Sequence, residues 1–483
     1  MSEKLRSYRN TALIAVTSVI NVVFSIIKNK VLALFIGPAG LGRFGMLSDT
    51  INFTGSIAQL GVANSGVQAI ASVQSQGQEE VRRVYQSLLH FFSWVTLIVI
   101  GVVFFTAPYI SGYLVGTTDL VWPLRIAILA IIFRIRSSIQ GALITALQRI
   151  NMLARANIYN GALVAAASIA MALLLGEDAV PYLVIIIPLV SWAISYYQVR
   201  LIMKEYPSVK GRIPYKQLQP ILMIGLATLY SSMFETVVAL ISKVLIVRTF
   251  SETYLGYYQV SISITLSYIS FITTSISNDY YPRLVLKLEE GIDAVNDFVN
   301  EQIGISMHLI MPILIFMLSF SELMIRILFS EKFMPANGII GYSIIGTFLT
   351  VVSWPVAYTF LARRATRTYM ITEFSGNASH LLLILGALYL RTFEWLGAAY
   401  FLHYVFYLTL ISFFFLGKYG GRYTRQNIIT FFSNVVILSL VVAAKHFLPV
   451  IISTAVSVVL IAAVLYMGRK EYRILFNSVT RKR

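Results

Sequence analysis

The sequence predicts an all-α polytopic membrane protein of about fourteen transmembrane helices. They form two six-helix lobes related by a parallel repeat, plus a C-terminal helix pair. Three observations carry this. Of 483 residues, 57% are apolar and 12% charged, against roughly 45–50% and about 25% in soluble domains. Such a chain lacks the polar groups to cover a globular surface, and it is too apolar for disorder. The apolar residues lie in long unbroken runs that suit helical spans of about 20 residues, not in alternating barrel strands. Basic residues gather in every second connection between those runs.

The elements follow in order. Lys4, Arg6 and Arg9 precede span 1 (11–36) and set the amino terminus inside. Span 1 is full length and lacks a small-residue cleavage site, so it is retained rather than removed as a signal peptide. Span 2 (41–73) begins at the outer Arg43 and leads to the inner Arg82 and Arg83. Spans 3 (84–108) and 4 (120–147) return the chain to Arg149 and Arg155. Spans 5 (153–176) and 6 (180–203) end in a basic linker, 204–217, with Lys204, Lys210, Arg212, Lys216, Pro207 and Pro214. Span 7 (218–248) stops at the outer Arg248, and span 8 (254–282) at Arg283 and Lys287. Spans 9 (302–328) and 10 (337–362) enclose the outer Lys332 and end at Arg363, Arg364 and Arg367. Spans 11 (368–390) and 12 (395–416) turn at Arg391 and finish at Lys418, Arg422 and Arg425. Spans 13 (427–445) and 14 (449–467) turn at Lys445 and release a basic tail from Arg469 to Arg483. Inner segments then hold 25 lysines and arginines and outer segments 5, which predicts an even number of spans and both termini in the cytoplasm. Several runs exceed the bilayer thickness, so those helices tilt or project.

The net charge of +17 would suggest nucleic acid in a soluble protein. Here the basic residues sit at helix ends, where they orient the chain and meet anionic lipid; no nucleic-acid partner is expected. With no cysteine there is no disulfide or thiolate metal site. No HExxH, Walker A, GxSxG or Cys/His cluster occurs, so no metal, cofactor, catalytic residue or ATP-driven pump is expected.

An internal repeat appears at an offset of 214 residues: Leu41-Gly42-Arg43-Phe44 matches Leu255-Gly256-Tyr257-Tyr258, Asn64 falls on Asn278, and Leu147-Gln148-Arg149 falls on Leu361-Ala362-Arg363. Six helices separate the copies, so both cross the membrane in the same direction, about an axis along its normal. The predicted divisions are a lobe at 1–208, a lobe at 209–420, and the extra pair with its tail at 421–483.

Polar residues inside hydrocarbon are costly and usually face a bundle interior or a watery cavity. Span 1 carries Thr17, Asn21, Ser25 and Lys28 at steps of four, four and three, which is one helical face. Span 2 carries Asp49, Asn52, Ser56 and Gln59; span 7 Thr228, Ser231, Glu235, Ser242 and Lys243; span 8 Ser261, Thr265, Tyr268, Ser275 and Asp279. Serine and threonine stripes also serve plain interhelical hydrogen bonding. The charged members favour a cavity. Lys28 lies about 12 Å from the end of span 1 and either lines a cavity, snorkels or pairs. Arg134 is mid-span on a face with Ser138, Gly141, Thr145 and Gln148, whereas Arg136 points about 200° away. Glu235 has Lys243 as its one basic neighbour at helical spacing; such a carboxylate is either paired or protonatable, the latter making it the candidate for ion coupling. His308 and His380 read as single packing histidines.

The run Leu34-Phe35-Ile36-Gly37-Pro38-Ala39-Gly40-Leu41-Gly42, followed by a polar second helix with Gly61-Val62-Ala63-Asn64-Ser65-Gly66, resembles the Wzx-type flippases of lipid-linked oligosaccharides. These are the O-antigen translocase branch of the MOP superfamily. The resemblance covers about residues 1–420; the last two helices depart from the twelve-helix form and are similar to those of the fourteen-helix lipid II flippases. It implies a cavity between lobes lined by spans 1, 2, 7 and 8. It implies alternating access that carries an undecaprenyl-pyrophosphate-linked oligosaccharide from the cytoplasmic to the outer leaflet of a bacterial inner membrane. A polysaccharide polymerase and a chain-length regulator are the protein partners it implies. On that reading Lys28, Arg134 and Lys243 meet the pyrophosphate, and Asn21, Ser25, Asp49, Asn52, Ser56, Gln59, Ser231, Thr265 and Tyr268 meet sugar. No bond is broken, so no enzyme is needed. A multidrug antiporter of the same superfamily would favour an acidic, aromatic cavity, and a membrane glycan-processing enzyme would need a large catalytic loop. The basic cavity and short loops argue against both.

Overall fold

The computed structural model describes residues 3–209, 211 and 233–469. All regular elements among them are helical, and eight stretches are long and apolar enough to cross a membrane. One of these, Asn151–Met203, runs through two predicted spans. Predicted spans 1, 2, 7, 8 and 11 are not among these eight stretches of the described residues. The chain forms two compact units, residues 1–256 with 328–330, and residues 257–327 with 331–483.

In the first unit, α1 (Glu3–Phe35) ends where Gly37 takes φ +64° and Pro38 opens α2 (Gly37–Gln59). Proline suits a first helical turn because its missing N–H would be unpaired there anyway. Predicted span 2 proves to be two helices: Leu60 and Gly61 are both left-handed, and α3 (Val62–Ser72) follows. Span 4 is likewise divided, into α5 (Val121–Ala127) and α6 (Ala130–Ala146), with tight i→i+3 bonds such as Leu129 N–H to Ile126 at 3.2 Å across the joint. Between them, α4 (Gln78–Val115) has 38 residues, about 57 Å of helix, so it projects beyond a hydrocarbon core of about 30 Å. α7 (Ile150–Leu175) packs along α1, and α8 (Val180–Met203) along α6. α9 (233–249) and the start of α10 (Glu252–Ile262) complete this unit.

Two glycines bring α2 and α10 together. A Cβ on Gly42 would collide with the Glu252 carbonyl, and one on Gly256 with the Pro38 carbonyl. At the 214-residue offset 42 corresponds to 256 and 38 to 252, so each contact is the other with the repeats exchanged. Small residues allow such close backbone approach in membrane helices.

In the second unit, α10 passes through a π turn, Ser263–Ser267, into α11 (Tyr268–Glu290). Predicted span 9 is a long α12 (Ile292–Ser319) and a short α13 (Ser321–Leu328). α14 (Asn337–Ala362) lies between α12 and α16 (Trp395–Tyr419), α15 (Thr366–Tyr389) packs on α16, and α17 (Arg425–Phe447) and α18 (Val450–Met467) both seat on α12.

Three asparagines fasten the α16–α17 connection. Asn296 donates to the Gly420 carbonyl at 3.1 Å and accepts from the Arg422 N–H at 3.1 Å. Asn300 donates to the Arg422 carbonyl at 2.7 Å and accepts from the Thr424 N–H at 2.8 Å. Asn427 donates to the Asn300 carbonyl at 2.8 Å. Stranding a buried backbone partner costs roughly 1–3 kcal/mol. Asn300→Ala is therefore expected to lower thermal stability in detergent, with Thr424 N–H and Arg422 C=O losing partners together. An unchanged melting temperature would show that water replaces the amide at no cost.

Candidate functional site

The polar face of α2 gathers the charged residues. Asp49 and Asn52 stand three residues apart, so both project to one side. Lys243 of α9 pairs with Asp49, and Arg134 of α6 bonds through Nη1 to the Asn52 amide oxygen. The guanidinium lies across Gly55, where a Cβ would come within 3.2 Å of Arg134 Cδ, and Arg134 Nε is buried without a partner among the described residues. Two of the three predicted cations thus converge on adjacent turns of one helix. An ammonium held by a carboxylate and a guanidinium with an unused donor leave capacity for an anion.

The remaining predicted residues divide. Lys28 is half-buried on α1 and makes no hydrogen bond or ion pair among the described residues; Ser25 is exposed. Asn21 lies against α7 instead, on Gly161, with its amide oxygen buried and unpartnered among the described residues. Ser56 turns its hydroxyl to the Asn52 carbonyl at 2.8 Å, and Gln59 is half-buried at the end of α2. Thr265 is a core residue: its hydroxyl donates to the Ser261 carbonyl at 2.8 Å, and its own carbonyl accepts from Thr347 at 3.3 Å. Ser231, with Thr228, lies outside the described residues, as do the side chains of Tyr268, Ser275 and Asp279. Glu235 is exposed and bonds nothing among the described residues; its predicted neighbour Lys243 turns to Asp49. Near the start of α2, Arg43 pairs with Glu252 at 2.5 Å beside the glycine contact.

His380 corrects the sequence reading, because it is not single. Its ring stacks on His403 with centroids 4.9 Å apart. Around them lie Tyr400, Tyr404 and Tyr407, the last donating to Glu373 Oε1 at 2.6 Å, while Ser379 Oγ meets His403 Nδ1 at 3.1 Å. Gly376 makes room, since a Cβ there would reach 2.8 Å from the Tyr407 ring. This polar cluster joins α15 and α16 in the second unit. The signal was present: Glu373 and His380 are seven residues apart, as are Tyr400 and Tyr407, each pair on one face of its helix. His308 does pack locally, its Nδ1 2.7 Å from the Gly304 carbonyl.

The fold defines a class first. The lipid II flippase MurJ, in an inward closed conformation, overlays with a TM-score of 0.71 on 95% of this chain and 99% of its own, at 12% identity. An inward-facing multidrug resistance MATE family transporter of the MOP superfamily overlays with a TM-score of 0.63 on 82% and 96%, at 13% identity. The architecture is the all-α polytopic fold that these two proteins share. The chain belongs to the polysaccharide biosynthesis protein family, whose sequence profile matches residues 31–337. The lipid III flippases of Escherichia coli (strain K12) and Shigella flexneri are each 26% identical over 420 residues, which is 82% of this chain and 95% of theirs. The resemblance carried by the Gly37-Pro38-Ala39-Gly40-Leu41-Gly42 turn is borne out.

Proposed function

We propose that the protein flips an undecaprenyl-pyrophosphate-linked oligosaccharide of the O-antigen type from the cytoplasmic to the outer leaflet by alternating access. The observation that carries this is the convergence of Lys243 and Arg134 on Asp49 and Asn52 of α2. These two cations beside one carboxylate leave one positive charge for a pyrophosphate diester, and Lys28 of α1 is proposed to supply a second. Cations in a site with little water bind such a group far more strongly than exposed ones. The family supports a polysaccharide pathway, and the lipid III flippases support a lipid-linked substrate. A second reading, a lipid II-type precursor, draws support from an overlay with MurJ that includes nearly the whole chain.

Deleting the gene and identifying the lipid that accumulates tests both. An undecaprenyl-linked repeat unit retained in the inner leaflet supports the first reading, and a peptidoglycan precursor the second. Accumulation of neither, with altered drug efflux, would overturn both in favour of an antiporter. Both termini are proposed to be cytoplasmic. A cysteine placed at Arg483 in this cysteine-free chain is expected to resist impermeant thiol reagent in intact cells. Labelling there would reverse the orientation.

A further inference from the structure

Arg136 takes no part in the site above. It is exposed on the opposite side of α6 from Arg134 and makes no hydrogen bond or ion pair among the described residues. An unpaired guanidinium on a membrane helix is costly. Two adjoining cavities of about 490 and 150 Å³ meet at Leu89, Ser93 and Arg136, between α4, α6 and α8 of the first unit. Together they form one groove with a polar end and an apolar end.

The polar end holds Arg136, Gln86, His90 and Gln140, walled by Trp192 stacked on Tyr196 at 5.5 Å. His90 Nε2 accepts the Trp94 indole N–H at 3.2 Å, which leaves its proton on Nδ1 as a second donor beside the guanidinium. Gln140 is 3% exposed, lines the groove, and its Oε1 has no partner among the described residues. The apolar end is lined by Phe92, Leu97, Ile100, Ile132, Ile135 and Ile139. No carboxylate lines either part.

The layout has a direction. Arg82 bonds the Tyr206 carbonyl at 2.7 Å and Arg149 pairs with Glu205 at 3.2 Å, so the start of α4 and the ends of α6 and α8 share one basic rim. Along α4, His90 lies about 10 Å from Arg83, and Ile100 about 25 Å. Along α4 polar groups thus sit nearer the rim and apolar ones deeper, the order of a phospholipid in the leaflet on that side; Arg136, about 20 Å from Arg149 along α6, stands where the two ends meet.

We propose that this groove holds one glycerophospholipid: Arg136 and His90 donate to its phosphodiester, Gln140 accepts from a donor on its headgroup, and an acyl chain lies along Leu97 and Ile100. Charge complementarity selects the occupant, since one guanidinium and one neutral donor suit a singly charged phosphodiester. The unused acceptor on Gln140 favours phosphatidylethanolamine or phosphatidylglycerol, which carry donors, over phosphatidylcholine, which does not.

The test uses the full-length protein, delipidated in detergent and returned to each of those three lipids. Native mass spectrometry counts retained lipid, and thermal unfolding reads the linked stabilisation. The wild type is expected to retain one lipid, with phosphatidylethanolamine or phosphatidylglycerol held about tenfold more strongly than phosphatidylcholine, a gap of about 1.4 kcal/mol. Arg136→Ala should lose the retained lipid and the thermal shift. Leu97→Trp blocks the apolar end without touching charge, and should lose them too, which covers the case in which the arginine variant fails to fold. Gln140→Leu should erase the preference over phosphatidylcholine. Retention by Arg136→Ala or Leu97→Trp equal to wild type, or equal retention of all three lipids by the wild type, would overturn the proposal.

Discussion

Arg134→Ala is expected to reduce glycan export roughly tenfold to a hundredfold, the equivalent of the 1.5–3 kcal/mol that a hydrogen bond to a charged group contributes. Expression and membrane insertion should persist, because the side chain crosses Gly55 rather than filling a core position. Arg134 has one donor on Asn52 and a buried Nε without a partner; a pyrophosphate oxygen would satisfy it. Arg134→Lys separates charge from shape. An ammonium keeps the charge but cannot form a planar fork, so weak rescue means bidentate recognition and strong rescue means charge alone. Lys28→Ala should impair export for the same reason, and Lys243→Ala in addition strands Asp49. The measurement is surface glycan per cell at matched protein level. Normal export by all three alanine variants would end the basic-site model.

Glu235→Gln is the second large effect, a roughly five- to hundredfold loss of coupled flipping with the protein still in the membrane. Glu235 is exposed and unpartnered among the described residues, so no salt bridge there accounts for a carboxylate at this place. It shares α9 with Lys243, which holds Asp49. Protonation changes the charge of the helix that carries this pair, and a ligand or proton shifts an alternating-access equilibrium only through such differential interaction. Glutamine mimics the protonated form and should abolish the dependence of flipping on external pH. The measurement is flipping in proteoliposomes across pH and membrane potential, and an unchanged dependence on both would leave Glu235 without a coupling role.

Much of the fold was legible because hydrocarbon imposes length and apolarity on each span. Thirteen runs and the described part of span 7 map onto helices, yet the breaks inside spans 2, 4 and 9 do not show in hydropathy. Leu60 is apolar like the run it interrupts, and only Gly61 after it marks the left-handed turn. In the site, Arg134, Asp49, Asn52 and Lys243 were marked by mid-span charge, and the pairing among them was not, because it joins residues as far as 194 apart in sequence. Asn21 was taken for a cavity residue on periodicity alone, and periodicity cannot tell a neighbouring helix from water. His380 was read as single because its partner His403 is on another helix, hidden in an aromatic run that reads as core.

The reciprocal approach of Gly42 to residue 252 and of Gly256 to residue 38 has the form of an isologous contact, the kind a twofold homodimer makes when one patch meets itself. A dimer of identical half-length chains would be bound to that symmetry everywhere: any charged pair near the axis would occur twice. In the single chain the two sides are written separately. The positions corresponding to Asp49 and Lys243 are Ser263 and Asn29, both uncharged. Joining the halves thus lets the backbone keep its twofold contact while the charge next to it is placed on one side only. An anionic headgroup arriving at such an axis meets a site with a handedness that two equal subunits could not give it.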